Sequence, residues 1–356
     1  MTNHLWTIHF MRICVANLLL FISLYMLFPV VPVEMADHLG VPVSQTGAMF
    51  LLLTLGMFAI GPFHAYLVDA YKRKYVCAFS FATMVAATVG YGFVNDITQL
   101  LLLCFVQGIA FGMATTAGIT LAIDITNTNL RSSGNIAFSW TARLGMLIGI
   151  ALGGGLYQWY DFKTLLYVSV IAGLAGIFFV FRVYVPFRAP IVTNLCSSDR
   201  FLLLRGWLPA FNLMLIAFIP GLLLPVFHNS LSDVFIGNIE IPFFAIVGVG
   251  FLFSALLARF VYREEKTLRV ITLGISLMMV SFILLKELPA IVTAILLGVG
   301  LGLVTPEFLL MFVKLSQHCQ RGTANTTHLL AWEAGMSLGV AAACYLSTES
   351  SVDAVY

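Results

Sequence analysis

The chain has 356 residues, of which 60% are hydrophobic and only 10% are charged, and its mean hydropathy is +0.99. Soluble domains are about 45 to 50% apolar and about 25% charged, so this composition excludes a water-soluble fold. At about 20 apolar residues per crossing, the chain is long enough to span a bilayer roughly a dozen times. Its net charge of +2 gives no reason to expect a nucleic-acid partner.

Apolar runs of span length are separated by short polar clusters along the whole chain. Lipid offers the backbone no hydrogen-bonding partner, so each span must be a helix or part of a closed barrel, and long runs without alternation exclude the barrel. The first run has no cleavage site after it and is expected to be a span, not a signal peptide. We therefore predict an all-α membrane protein with eleven helices. They lie near residues 10–31, 45–66, 75–94, 98–123, 133–156, 164–184, 206–227, 240–260, 267–285, 289–313 and 322–346.

Lysine and arginine are distributed unevenly between the loops. With a cytoplasmic N-terminus, fifteen of the 18 basic residues lie on the cytoplasmic side, Lys163 and Lys286 lie outside, and Arg143 lies within a span. Loops rich in lysine and arginine stay in the cytoplasm, so this pattern predicts a multi-pass protein with its N-terminus in the cytoplasm. We expect the membrane to be a bacterial inner membrane.

The chain repeats itself with a spacing of 190 positions. The same spacing pairs Ala65, Leu67 and Arg73 with Ala255, Leu257 and Arg263, and a small register change pairs Asn17 with Asn212. Parallel repeats place the substrate site between the halves, near the middle of the bilayer. The identical pairs that show the repeat are Gly108/Gly298, Gly112/Gly302, Thr115/Thr305, Arg131/Arg321, Asn135/Asn325, Gly145/Gly335, Met146/Met336 and Gly149/Gly339.

The repeat predicts three parts of the chain. Residues 1–184 form an N-terminal six-helix bundle, residues 185–205 a polar cytoplasmic linker, and residues 206–356 a C-terminal bundle with five spans. The sixth span maps onto positions 354–374, although the chain ends at Tyr356. We therefore expect the twelfth helix to be missing because the sequence is truncated, and an eleven-span form is the alternative.

Three segments carry a family resemblance. The loop after the second span, Ala65–Lys74, has Asp69, Arg73 and Lys74 at the positions of a G-x-x-x-D-x-x-G-R-K signature, with Ala65 and Lys72 in place of glycines. In this loop a carboxylate followed by two cations can pair with neighbouring helix ends and hold a cytoplasmic gate closed. The cations alone would also serve as topology determinants.

The other two segments lie within spans. Residues 145–154 are similar to the G-x-x-x-G-P-x-x-G-G element of antiporters, with Ile150 in place of proline, although helix packing alone also explains such glycines. Gln107 and Gly108 fit an R-x-x-Q-G element in which Cys104 replaces the arginine. Over essentially its whole length the chain resembles the major facilitator superfamily, in particular its bacterial drug and sugar efflux-like antiporters. The resemblance implies two pseudo-symmetric six-helix bundles.

Two charges lie deep in the predicted spans. Arg143 and Glu333 are each 12 residues beyond a cytoplasmic arginine, about 18 Å into the membrane, and they are 190 positions apart. An ionisable group at that depth is a functional candidate. Our hypothesis is that Glu333 takes up and releases a proton, while Arg143 binds an anionic group or keeps Glu333 ionised. We expect Arg143 and Glu333 to interact electrostatically across water more than through a direct salt bridge. The alternative is that each residue only stabilises the packing of its own helix.

Further polar residues complete the candidate site. Glu307, which follows Pro306, and His328, which precedes Glu333, are candidates for proton relay or gating, or for simple packing. In this family the helices that line the cavity would contribute substrate contacts. Interhelical hydrogen bonding is the alternative for Asn17 and Asn212, and a place in the core or an interface is the alternative for Trp332. These substrate candidates are Asn17, Gln107, Thr115, Asn212 and Trp332.

The sequence contains no ATPase, metalloprotease or serine-hydrolase motif, and its six cysteines have no metal-ligand spacing. We expect no enzymatic activity, cofactor or metal. The resemblance implies a monomeric secondary transporter that exports a small organic solute by alternating access, driven by protons. The alternatives are proton-coupled uptake, facilitated diffusion, or a sensor or assembly protein that moves no solute.

Overall fold

The computed structural model is built almost entirely of helices. It describes residues 4–185, 194–197, 200–229, 233–236, 239–261, 267–285, 287–317 and 320–349. The predicted twelfth span would begin within residues 350–356, which lie outside the described residues, as do residues 186–193 and 198–199 of the predicted linker. Thirteen α-helices occur in the described part of the chain. They are α1 (Ile8–Tyr25), α2 (Val31–Leu39), α3 (Val43–Gly47), α4 (Met49–Ala70), α5 (Arg73–Gly90), α6 (Ile97–Ile125), α7 (Arg131–Trp159), α8 (Phe162–Phe181), α9 (Trp207–Asn229), α10 (Phe243–Val261), α11 (Thr267–Ile283), α12 (Ala290–Leu315) and α13 (Arg321–Glu349).

The helices have the lengths that a bilayer requires. Within the described residues, nine helical segments are long and apolar enough to cross a membrane, and two shorter apolar helices lie at 243–254 and 267–283. Each of these eleven corresponds to one predicted span. The chain is therefore a multi-pass membrane protein.

The first predicted span is shorter than expected. The sequence predicts one helix over residues 10–31, but α1 ends at Tyr25 and a turn precedes α2. Pro29 lies in this turn, where it has no N–H to donate and disfavours a helical conformation at Phe28. The short helix α2 has Pro32 in its first turn and ends at Leu39, and the Gly40 that caps it has a left-handed backbone (φ 65°).

One loop contains extended structure that the sequence did not predict. Strands β1 (Asp233–Ile236) and β2 (Ile239–Pro242) pair antiparallel, with Val234 opposite Ile241. The predicted span at 240–260 therefore begins only at Phe243, because its first residues belong to β2. The hairpin lies in a predicted external loop and leaves the all-α architecture of the spans unchanged.

Equivalent helices pack in equivalent pairs. Helix α7 packs on α1 and α13 packs on α9, while α6 packs on α4 and α12 packs on α10. A Cβ at Gly145 would collide with the carbonyl of Leu18, and a Cβ at Gly335 would collide with the carbonyl of Met214. These glycines therefore let two helix backbones approach closely in each repeat. The glycines of residues 145–154 have a packing role that is independent of any antiporter activity.

The predicted register is wrong for one pair of helices. Gly108 faces the carbonyl of Leu53, and its repeat mate Gly298 faces the carbonyl of Val247. Leu53 and Val247 are 194 positions apart, whereas equivalent residues of α7 and α13 are 190 apart. The alignment of α4 with α10 is therefore shifted by four residues, about one helical turn. The division of the chain into bundles at residues 184 and 206 stays a prediction.

We predict that Gly145→Ala lowers the thermal stability of the detergent-solubilised protein. The added methyl would overlap the Leu18 carbonyl, and overpacking of this kind costs about 1–3 kcal/mol. Gly154→Ala is the matched control, since nothing lies within 4 Å of a Cβ at that position. The measurement is the unfolding midpoint of both variants. Equal midpoints would contradict the close packing of α1 on α7.

Candidate functional site

The two membrane-embedded charges meet directly. Arg143 Nη1 on α7 lies 3.5 Å from Glu333 Oε1 on α13, and the exposed fractions of the two side chains are 2% and 0%. The expectation of coupling across water without direct contact is therefore wrong for this conformation. An arginine side chain is long enough to bridge two helices that do not pack closely, which the sequence alone cannot show.

Two aromatic residues complete this ion pair. The hydroxyl of Tyr25 on α1 donates a hydrogen bond to Glu333 Oε2, and the guanidinium carbon of Arg143 lies 4.0 Å from the centre of the Trp332 ring. Burying two charges costs several kcal/mol per ion unless hydrogen bonds and close contacts compensate. The Tyr25 hydroxyl and the face of the Trp332 ring supply such contacts.

Trp332, a predicted substrate contact, lies against Arg143 instead. Tyr25 was missed. A single tyrosine in an apolar run gives no signal of what its hydroxyl contacts. Phe21 and Phe28 stack on its ring, with ring centroids 5.9 Å and 4.3 Å away, so the ring is fixed by its neighbours.

A small cavity lies beside the ion pair. Its volume is about 30 Å³, which is room for about two water molecules, whereas small-molecule sites measure about 300–1,000 Å³. This cavity is therefore too small for an organic solute, and the structure represents a closed conformation around the ion pair. The polar residues that line the cavity include Asn17, Thr115, Asn135, Arg143, Asn325 and His328.

Two predicted substrate residues line this cavity. Asn17 donates hydrogen bonds to the Phe138 carbonyl at 3.1 Å and to Thr141 Oγ1 at 3.0 Å. Thr115 donates to the carbonyl of Phe111, one turn earlier in its own helix, at 2.9 Å. Both predicted residues thus lie at the cavity wall with hydrogen bonds to the protein.

Gln107 lies elsewhere, which corrects its predicted place in the cavity. Its side-chain oxygen accepts a hydrogen bond of 2.6 Å from the Tyr91 hydroxyl, and its nitrogen donates to Thr88 Oγ1 at 3.2 Å. These partners belong to α5 and the turn that follows it. The amide is therefore satisfied inside the N-terminal helices, because the face of α6 that carries Gln107 packs against α5 at that level.

Asn212 also lies away from the cavity, which corrects its predicted place. Leu18 contacts Gly145 in the first repeat, and Met214 contacts Gly335 in the second, so Leu18 and Met214 are equivalent residues. The residue before each is then equivalent too, which pairs Asn17 with Leu213 and not with Asn212. Leu213 is fully buried. Asn212 is one position earlier on the helix, about 100° around its axis, and is exposed on the outer surface.

Glu307 and His328 have different surroundings. His328 is 2% exposed, lines the cavity and packs its ring edge-on against Phe312, with centroids 5.9 Å apart. Glu307 is 3% exposed on α12, and its carboxylate hydrogen-bonds Thr267 at the start of α11. The face of α12 that carries Glu307 points to α11, so Glu307 lies apart from Arg143 and Glu333 in this conformation. Its role in proton relay or gating stays a prediction.

Ionic contacts join the ends of several helices on the predicted cytoplasmic side. Arg73 pairs with Asp69 at 2.9 Å and with Asp124 at 2.5 Å, while Asp69 also pairs with Arg200 at 2.7 Å. We call Asp69, Arg73, Asp124 and Arg200 the inner latch. The signature loop predicted Asp69 and Arg73, whereas the isolated charges Asp124 and Arg200 were missed.

Lys74 does not belong to the inner latch, which corrects its predicted place. Its Nζ donates to the carbonyl of Val183, after α8, at 2.9 Å. The side chain of Arg73, at the start of α5, reaches Asp69 near the end of α4. Lys74 is the next residue of α5, about 100° around its axis, and faces the end of α8 instead. Lys74 therefore joins two of the N-terminal helices.

The end of the predicted linker lies between N-terminal and C-terminal helices. The carbonyl of Arg200 accepts a hydrogen bond from Thr323 Oγ1 at 3.0 Å, and Leu203 N donates to Thr327 Oγ1 at 2.9 Å, both on α13. Between them, the Phe201 ring is 5% exposed and lies against Gly61 of α4, where a Cβ would overlap it. This segment closes the predicted cytoplasmic side of the cavity.

The opposite end of the helices is also joined. Thr54 Oγ1 on α4 donates to Ser337 Oγ on α13 at 2.7 Å, and the Tyr157 hydroxyl donates to Glu34 Oε2 at 2.7 Å. Helix α3 packs on α13 as well, where Gly47 contacts Cys344. Contacts on both sides thus explain why the cavity is small.

We predict that Asp69→Asn opens the predicted cytoplasmic side, because the amide keeps the shape of the carboxylate but loses its attraction to Arg73 and Arg200. The measurement is the maleimide labelling rate of Phe201→Cys in a Cys196→Ser background, and a severalfold increase is expected with Asp69→Asn. Leu204→Cys, where the native residue is 77% exposed, is the control and should label at one rate in both backgrounds. An unchanged rate at position 201 would contradict the role of the inner latch.

Comparison with known proteins supports the architecture described above. The model of the Major Facilitator Superfamily matches residues 13–340. The human organic anion transporter MFSD10 superposes with a TM-score of 0.69 at 14% identity, covering 97% of this chain and 95% of its own. The nucleoside transporter NupG superposes with a TM-score of 0.68 at 14% identity, covering 96% of this chain and 92% of its own.

A third solved structure is a bacterial homologue of the human lysosomal transporter Spinster in an inward-facing, unoccupied conformation. It superposes with a TM-score of 0.67 at 15% identity, covering 98% of this chain and 84% of its own. No curated protein sequence matches the chain. At these identities the solved structures show a shared fold, whereas the family model matches most of the sequence. The chain belongs to the Major Facilitator Superfamily.

Proposed function

We propose that this protein is a proton-driven antiporter that exports a small organic solute by alternating access, acting as a monomer in a bacterial inner membrane. Secondary transport itself follows from the family and from the transporters that share its fold. The observation that carries the proposal of proton coupling is the buried ion pair of Arg143 and Glu333.

The ion pair links parts of the protein that must separate. Arg143 and Tyr25 belong to N-terminal helices and Glu333 to a C-terminal helix, so the contacts cross the interface that opens in alternating access. A protonated Glu333 would lose most of its attraction to the guanidinium, because the attraction depends on its charge. Proton binding would therefore weaken the closed conformation, and proton release would restore it.

The driving force is adequate for export. One proton that crosses a membrane potential of 100 mV releases about 2.3 kcal/mol, enough for roughly a fortyfold solute gradient. The efflux-like resemblance favours export over uptake. The direction can be read from a pH gradient, since antiport drives the solute toward the acidic side and symport drives it away from that side.

We predict that Glu333→Gln abolishes proton-driven transport while exchange of solute without a gradient continues. Glutamine keeps the size of the side chain and can still accept a hydrogen bond from Tyr25, but it cannot carry a proton through the cycle. The measurement is flux of a compound panel in proteoliposomes with and without a pH gradient, and a loss of at least tenfold in the gradient-driven part is expected.

Glu307→Gln is the matched control for this experiment, because Glu307 is a buried carboxylate that hydrogen-bonds Thr267 and lies outside the ion pair. It should retain the gradient-driven flux. Arg143→Gln should uncouple transport as Glu333→Gln does, since either change removes the ion pair. Full gradient-driven flux in both Glu333→Gln and Arg143→Gln would refute the proposal.

A further inference from the structure

The cavity brings together two asparagines that the internal repeat relates. Asn135 on α7 and Asn325 on α13 are 190 positions apart, and their exposed fractions are 5% and 6%. Both line the cavity beside Arg143 and His328. The repeat alone showed their identity, whereas the structure shows that two related carboxamides from opposite halves of the sequence share one cavity.

Several polar atoms around this cavity lack a partner. In the part of the chain that the structure describes, Arg143 Nε, Asn325 Oδ1 and His328 Nε2 are buried and make no hydrogen bond. A buried polar group that has lost its water and found no partner destabilises the protein. Three such groups on one cavity leave hydrogen-bonding positions available to a molecule that enters it.

The types of these atoms restrict the chemistry of that molecule. Arg143 Nε can only donate, Asn325 Oδ1 can only accept, and each carboxamide offers a donor and an acceptor side by side. A carboxylate ligand only accepts and an alkylammonium only donates, whereas a hydroxyl group does both. The matching ligand therefore offers donors and acceptors together, as a molecule with several hydroxyl groups does.

Charge and shape favour a neutral ligand. The guanidinium of Arg143 is already paired with Glu333 at 3.5 Å, so the site carries no unbalanced charge from this pair. Phe21 and Phe138 also line the cavity and offer apolar faces. Such faces fit the C–H surfaces of a sugar or nucleoside while the asparagines bind its hydroxyl groups.

We propose that Asn135 and Asn325 determine specificity for a neutral polyhydroxylated solute, such as a sugar, polyol or nucleoside. The inference rests on the proposed transport function and names its substrate class. The cavity of about 30 Å³ would enlarge when the helices on its two sides separate, and the two carboxamides would then hold the solute from both sides.

The test is counterflow in proteoliposomes without a pH gradient, so that it does not depend on proton coupling. The labelled probes are uridine and D-glucose as hydroxylated solutes, benzoate as a carboxylate and tetraethylammonium as a cation. Asn135→Leu and Asn325→Leu keep the approximate volume and lose the hydrogen bonds, and Asn135→Ser and Asn325→Ser provide smaller polar replacements should a leucine variant fail to fold. Asn212→Leu, at an exposed asparagine, is the matched control.

We expect saturable counterflow of at least one hydroxylated probe, at least a tenfold loss in each folded variant at positions 135 and 325, and no loss in Asn212→Leu. The inference would be overturned if the variants at positions 135 and 325 carried the hydroxylated probes as fast as the unmodified protein does. Carriage of only benzoate or tetraethylammonium would also overturn it and leave the transport proposal intact. Failure of all four probes would count against both proposals, whereas intact counterflow without gradient-driven flux would count against proton coupling alone.

Discussion

The need to compensate two opposite charges inside an apolar helical protein shapes the centre of this molecule. Arg143 and Glu333 come from equivalent helices of the repeat, and neither has access to bulk water in the closed conformation. The two charges stabilise each other, the Tyr25 hydroxyl also stabilises Glu333, and the face of the Trp332 ring also stabilises Arg143. Because breaking a buried pair is costly unless something replaces it, separation of the helices must be linked to a proton, a solute or water at these groups.

Glycine contacts hold this pair in position. Close approach of α7 to α1 places Arg143 near Tyr25, and close approach of α13 to α9 fixes the helix that carries Glu333. The inner latch and the Phe201 segment lie on the predicted cytoplasmic side of the cavity, and the contacts of α3 and α4 with α13 lie on the other. Alternating access requires only that one of these two groups of contacts break at a time.

Much of this architecture follows from composition and spacing. Apolar runs predicted the helices, and a charge within a span identified Arg143 and Glu333. Helical register was harder to predict, since a shift of one residue rotates a side chain by about 100°, which explains the error at Asn212. Gln107 was misplaced because nothing local shows that Tyr91 satisfies it. Tyr25, Asp124 and Arg200 act through partners distant in sequence, which a single sequence does not reveal.

The most direct test of the central ion pair is a double-mutant cycle on thermal unfolding, with Arg143→Gln, Glu333→Gln and the double variant in the same detergent. If the two side chains stabilise each other in the closed conformation, the double variant will be more stable than the sum of the single effects predicts, with a coupling of about 1 kcal/mol or more. Strictly additive losses would show that the two charges do not interact and would contradict the account.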